Sequence, residues 1–223
     1  MEADKFYHIY NRTNNRELLF KDEENYRYFL SLFQKYISPI ALVYAYCLIP
    51  NHFHFVLQIK SDQELSVFFA EKIGKVKIKQ NISKKDLQGF QNLGGLDNGD
   101  LLSKFISQQF SNFFNSYSKA INKRFNRNGS LFSPNFKKKI IASERYLTQV
   151  IIYVHLNPEN HGVVGDFKEY SHSSYHSILS NKESLIKRDE VIEMFGDKAN
   201  FIEVHNQRVV DENAISDISD IDE

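Results

Sequence analysis

His52 and His54 stand one residue apart in the run 48–58, Leu-Ile-Pro-Asn-His-Phe-His-Phe-Val-Leu-Gln. Successive side chains of an extended strand point to opposite faces, so the imidazoles share one face and Phe53 and Phe55 the other. Val56 and Leu57 favour a sheet, and Pro50-Asn51 is turn chemistry just before the first histidine. Two neutral imidazole nitrogens held in this way can converge on one cation. Zinc would ask for a third His, Cys or carboxylate at short spacing, and none lies near His54. A hard divalent ion, Mg or Mn, completed by water and a substrate phosphate, asks less of the protein. Taken alone, such a pair is more often two half-exposed polar residues on a strand than a metal site.

Phosphate is also what the charge pattern favours. The formal net charge is zero, but 211–223 carries six acids and no base, which leaves 1–210 with a surplus of six positive charges. Lys104, Lys119, Lys123, Arg124, Arg127, Lys137, Lys138 and Lys139 fall within 101–140, a stretch without an acid. A solvated helix face would mix signs, whereas a one-sign patch with interleaved aromatics reads as a nucleic-acid surface. Tyr117 lies in the middle of that patch. A tyrosine hydroxyl can form the covalent phosphoenzyme that conserves bond energy for rejoining a cut chain. A phenol is protonated near neutrality, so attack needs a base or the field of an ion. The same position also fits a core aromatic on an apolar stripe.

The elements that position these residues are legible from periodicity. Residues 6–10 read as a strand, followed by a polar loop over 11–15. Tyr26, Phe29, Leu30, Phe33 and Tyr36 form the stripe of a helix over 22–36, stopped by Ser38-Pro39. Residues 40–49 and the His52 strand form a hairpin across Pro50-Asn51. Ser61 and Glu64 match a capping box, opening a helix with Val67, Phe68 and Phe69 that fades into a basic stretch over 72–85. Residues 86–100 read as a mobile loop. Leu102, Ile106, Phe110, Phe113, Phe114, Tyr117 and Ile121 define a long helix over 101–125, ended by Asn126 to Gly129. A strand over 135–142 follows, then a helix capped by Ser143 and stopped by Asn157-Pro158.

The order strand, helix, strand, strand, helix, helix, strand predicts an α+β, ferredoxin-like antiparallel sheet with helices on one face. It occupies 1–180, with a C-terminal helical extension over 181–210 and an acidic tail over 211–223 that lacks the apolar content to fold. No apolar run approaches a membrane span, and residues 1–5 carry no signal-peptide pattern. The single cysteine, Cys47, excludes an internal disulfide and a cysteine-rich zinc site, and a reducing cytoplasm is the default.

Several motifs, in order and spacing, resemble the single-tyrosine HUH transposases, and within them the REP-associated tyrosine transposase branch. They are Phe6-Tyr7-His8-Ile9-Tyr10-Asn11-Arg12, Cys47 to His54, Tyr117-x4-Asn122, Gly129-Ser130-Leu131-Phe132, Phe136-Lys137 and Tyr153-Val154-His155-Leu156-Asn157-Pro158. The resemblance covers about residues 6–175. It implies the HUH nuclease fold, with Mg or Mn on His52 and His54, and Tyr117 as nucleophile. Cleavage would leave a 5′-phosphotyrosine and a free 3′-OH on single-stranded DNA with hairpin ends, in a bacterial cytoplasm at the nucleoid. A homodimer is compatible with it. His8 and Arg12 on the first strand, with Lys119, Lys123, Arg124, Arg127 and Lys137 to Lys139, would contact the DNA, although His8, between Tyr7 and Ile9, also fits a buried, hydrogen-bonded histidine. Short members of the family supply a third ligand as a glutamine one helical turn after the tyrosine. Here that position is Ile121, which cannot coordinate, and Asn122 is the nearest polar substitute.

Two further readings follow from the same residues. One keeps the fold and hairpin recognition with weak or no catalysis. The other is a metal-dependent nuclease that uses water, with Tyr117 in the core. His155, near a helix end, reads as structural.

Overall fold

The computed structural model describes residues 1–14, 17–78 and 98–210. The expected mobile loop falls mostly on 86–97 and the acidic tail on 211–223, both outside the described residues. Strands β1 (Phe6–Arg12), β2 (Ala41–Ile49), β3 (His52–Ile59) and β4 (Lys137–Ile141) form an antiparallel sheet in the order β2-β3-β1-β4. The β2–β3 hairpin closes across Pro50-Asn51, with Ile49 opposite His52. β1 runs two residues further than expected, because Asn11 and Arg12 still pair with Phe53 and His52.

Helix α1 (Glu23–Tyr36) starts at Asp22, whose carboxylate accepts from Asn25 N. α2 (Asp62–Ile78) opens with the predicted capping box: Ser61 N donates to Glu64 Oε2 at 3.2 Å, and Glu64 N donates to Ser61 Oγ at 3.4 Å. α3 (Asn98–Arg124) starts three residues before the expected 101. On one face of the sheet α1 and α3 enclose an aromatic core. Phe33 meets Phe55 at 4.4 Å between ring centroids, Phe29 meets Phe53 at 5.3 Å, and Phe114 meets Phe53 at 5.7 Å. Each fully buried Phe contributes on the order of 2 kcal/mol.

The α+β antiparallel sheet is as expected, but its helices are not confined to one face. α4 (Glu144–Asn160) crosses the opposite face, the one that carries the histidines. Ser143 caps it as predicted, accepting from Tyr146 N at 3.2 Å. Asn157-Pro158 does not stop it. Val150 to Pro158 are all buried, and the apolar area gained between two layers offsets the backbone bond that Pro158 lacks. The helix ends two residues later, where Gly162 takes a φ of +65° and donates to Glu159 O.

The outer side of α4 is covered by the C-terminal helices α5 (Tyr175–Leu179), α6 (Arg188–Met194) and α7 (Lys198–Gln207). Phe201 and His205 of α7 are buried against His155. Ahead of α6, Lys187 N donates to Val43 O, and Tyr44 donates its hydroxyl proton to Glu190. These contacts cover part of the outer edge of β2, a place where an unpaired strand would invite association. Among the described residues no helix is long and apolar enough to cross a membrane.

Candidate active site

The strand register sorts the site residues by face. Tyr10 pairs with His54, Arg12 with His52, Lys137 with Tyr10 and Lys139 with His8. Directly opposed residues point to the same side, so His8, Tyr10, Arg12, His52, His54, Lys137 and Lys139 share the face under α4. His52 and His54 meet edge to face, 5.1 Å between ring centroids. His8 Nε2 lies 2.9 Å from His54 Nδ1. Asn51 Oδ1 lies 2.7 Å from His52 Nδ1, and the His161 ring stands edge-on to His52 at 4.6 Å.

Two residues of α4 complete the cluster. The Tyr153 ring is edge-on to His54 at 5.8 Å and to His8 at 6.2 Å. Asn157 places its Oδ1 3.2 Å from His52 Nε2. Residues four apart on a helix lie one above the other, so a phenol and an amide are presented together to a pair of imidazoles. Tyr153 is 3% exposed, His52 8% and His54 0%; the cluster is closed to solvent.

Tyr117 is on the other side of the sheet. It is fully buried among Phe29, Phe20 and Phe132, and its hydroxyl donates to Leu19 O at 2.9 Å. Burial drives its phenol well above the ordinary tyrosine value, with Tyr26 and Asp22 adding to the effect. A phenol held neutral, bonded to the backbone and separated from His52 and His54 by the sheet is a core residue in this arrangement, not the nucleophile of their site.

The third-ligand and DNA assignments change with it. Asn122 is spent on the end of α3, donating to Gly129 O at 2.9 Å and accepting from Arg127 Nη1 at 2.5 Å, so it is not a metal ligand here. His8 is fully buried and touches His54, so it does not offer itself to DNA. Arg127 pairs through both Nε and Nη2 with Glu17, and Arg124 with Asp22 and Glu24, which occupies both guanidinium groups. Lys119 and Lys123 are exposed on α3, in the layer opposite the histidine face. Lys137 and Lys138 are exposed on β4, Lys139 is half-buried there, and Arg12 is exposed at the end of β1 beside His52. The basic patch that looked continuous along the chain is therefore split between two sides of the molecule.

The electrostatics of the cluster suit a cation. Burial, then the neighbouring His52, His8 and His161, hold the His54 imidazole well below its ordinary pKa and thus neutral. His54 Nε2 and Asn157 Nδ2 are buried and make no hydrogen bond among the described residues. His52 Nδ1 lies 2.7 Å from Asn51 Oδ1 and its Nε2 3.2 Å from Asn157 Oδ1, contacts whose donor follows the tautomer. In the tautomer that gives Nδ1–H to Asn51, Nε2 and the Asn157 oxygen are both left as electron-pair donors to an ion. No three His, Cys, Asp or Glu side chains are grouped to hold a metal among the described residues. The fitting set is His52 Nε2, His54 Nε2 and the Asn157 amide, which leaves the remaining positions of a hard ion to water and a phosphate oxygen.

Tyr153 and Asn157 were not singled out as site residues from the sequence, although both stand in the Tyr153-to-Pro158 motif. The available signal was spacing. An amide follows Tyr153 by one helical turn, whereas Ile121 follows Tyr117 at that distance.

No family model matches the chain, and no curated protein matches it. A search of solved structures finds a REP-associated tyrosine transposase bound to a REP hairpin, with a TM-score of 0.48 and 14% sequence identity. The match covers 81% of this chain and 82% of that one.

Proposed function

We propose that this protein binds hairpin-containing single-stranded DNA, and cuts and rejoins it through a 5′-phosphotyrosine on Tyr153. The reading is supported above all by the placement of Tyr153 and Asn157, one turn apart on α4, over the His52–His54 pair. It also rests on the motifs shared with the single-tyrosine HUH transposases. Tyr153 Oη attacks the scissile phosphorus, the bond to O3′ breaks, and the phenolic proton leaves as the 3′-hydroxyl is released. A 3′-hydroxyl attacking the phosphotyrosine runs the reaction backwards and joins strands. A divalent ion held by His52, His54 and Asn157 would supply Lewis acidity to the phosphate. Lys137, Lys139 and Arg12, on the same face, would draw the DNA backbone to the tyrosine and hold it in register.

The closed state of the cluster supports a second reading, hairpin binding with weak or absent catalysis, because Tyr153, 3% exposed, is shut off from solvent. Incubation with single-stranded hairpin DNA and Mn, followed by a denaturing gel, separates the two. Strand transfer yields a protein–DNA adduct that is lost in Tyr153→Phe and retained in Tyr117→Phe. Tight binding without adduct for every hairpin tried supports the inert binder.

A further inference from the structure

On the proposed reading of the site, His54 presents a lone pair at Nε2, so something must set which ring nitrogen carries the proton. His8 is the residue in place to do it. Its Nε2 lies 2.9 Å from His54 Nδ1, with ring planes 13° apart, and both side chains are fully buried. One hydrogen bridges that gap, which leaves two arrangements of neutral rings. If His8 donates, His54 keeps a proton on Nε2, a buried atom that makes no hydrogen bond among the described residues. If His54 donates from Nδ1, its Nε2 is a bare lone pair turned to the site. In the second arrangement His8 carries its own proton on Nδ1, so each arrangement leaves one ring N–H outside the shared bond, and the ion-binding role decides between them: only the second turns a lone pair of His54 to the site.

We propose that His8 is a positioning residue: it accepts the Nδ1–H of His54 and holds that ring in the tautomer and orientation its metal-binding role requires. His8 is suited to this by its place on β1, whose backbone is bonded to β3 on one side and β4 on the other. Partners in this outer position typically change metal affinity 10- to 100-fold when removed. The inference rests on the metal reading of the site, but one of its tests does not.

Imidazole 15N–1H correlation spectra of the metal-free, full-length protein read the tautomer directly, with His54→Gln used to assign the ring. The expected result is His54 with its proton on Nδ1; a proton on Nε2 overturns the proposal. Mn(II) titration followed by electron paramagnetic resonance then compares two variants. His8→Phe removes the acceptor and should weaken Mn(II) binding by roughly 10- to 100-fold. His8→Gln puts an amide oxygen within reach of His54 Nδ1 and should stay within about threefold of wild type. Equal binding in both variants, or equal loss in both, contradicts the role. If wild type binds no Mn(II), the metal reading fails, while the wild-type spectrum still decides the part played by His8. That spectrum also decides it if His8→Phe fails to fold.

Discussion

Tyr117 and Tyr153 are both almost wholly buried, yet they face opposite chemical surroundings. Around Tyr117 are phenylalanines and one backbone carbonyl; around Tyr153 are imidazoles and, one turn on, an amide. The expected consequence is a separation of stability from activity. Tyr117→Phe loses a buried hydroxyl and leaves Leu19 O without its donor, at a cost of about 1–3 kcal/mol in urea unfolding. It leaves strand cleavage intact. Asn157→Asp tests the donor set in the other direction, since a carboxylate in the same place adds charge to a cation site. Mn(II) binding should tighten in Asn157→Asp and weaken in Asn157→Leu, read by titration of the two purified variants against wild type. Unchanged affinity in both would remove Asn157 from the ligand set.

α4 links the site to the rest of the protein, because its two sides are committed to different partners. Toward the sheet it carries Tyr153 and Asn157. Two residues on from Tyr153, about 200° around the helix, it carries His155, whose Nδ1 lies 2.9 Å from His205 Nε2 and whose Nε2 lies 2.7 Å from Ser174 Oγ. His205 Nδ1 in turn donates to Phe201 O at 2.7 Å. This chain of directed bonds pins α4 between the sheet and the C-terminal helices. His205→Ala leaves His155 Nδ1 buried without its partner and should cost about 1–3 kcal/mol in urea unfolding. It should also lower adduct formation, although residue 205 touches no site residue.

Most of these elements were legible in the sequence. Alternation in 48–58 placed the histidines on one strand face, the stripes gave α1 and α3, and Ser143 gave the start of α4. The sheet face that each helix covers was not legible, because an apolar stripe specifies that a helix packs, not what it packs on. That is why two tyrosines on two buried helices could not be told apart by periodicity, and why Pro158 looked like a stop. Burial on two sides holds α4 through the proline and brings Asn157 to the site.

At the scale of the whole molecule, two properties follow from charge. Burial holds His54 and His155 well below the ordinary histidine pKa and lowers His205 to about 4. Unfolded, these rings titrate near 6.5. Between those values the unfolded chain binds more protons than the folded one, so stability is fully present above about pH 6.5 and is lost as pH falls. His205 alone accounts for roughly 3 kcal/mol across that window, by the free energy of a pKa shift. The urea midpoint should therefore drop steadily from pH 7 to pH 4.5, and His205→Gln should flatten the decline. The second property is the sidedness of the cations. If DNA binds on the histidine face, Lys137→Ala and Lys139→Ala should each reduce the salt slope of hairpin binding by about one, and Lys119→Ala and Lys123→Ala should leave it nearly unchanged. The reverse ranking in fluorescence anisotropy would place the DNA on the α1–α3 layer.

The proposed reaction requires the nucleophile to be on α4 and not on α3. Trapping the adduct with hairpin DNA and Mn, digesting both components and sequencing the modified peptide by mass spectrometry tests it most directly. The expected result is a deoxynucleotide phosphate on Tyr153, within the peptide that also contains His155 and Asn157. A phosphate on Tyr117 would contradict it, and would require the α1–α3 core to open around a residue that the fold buries completely.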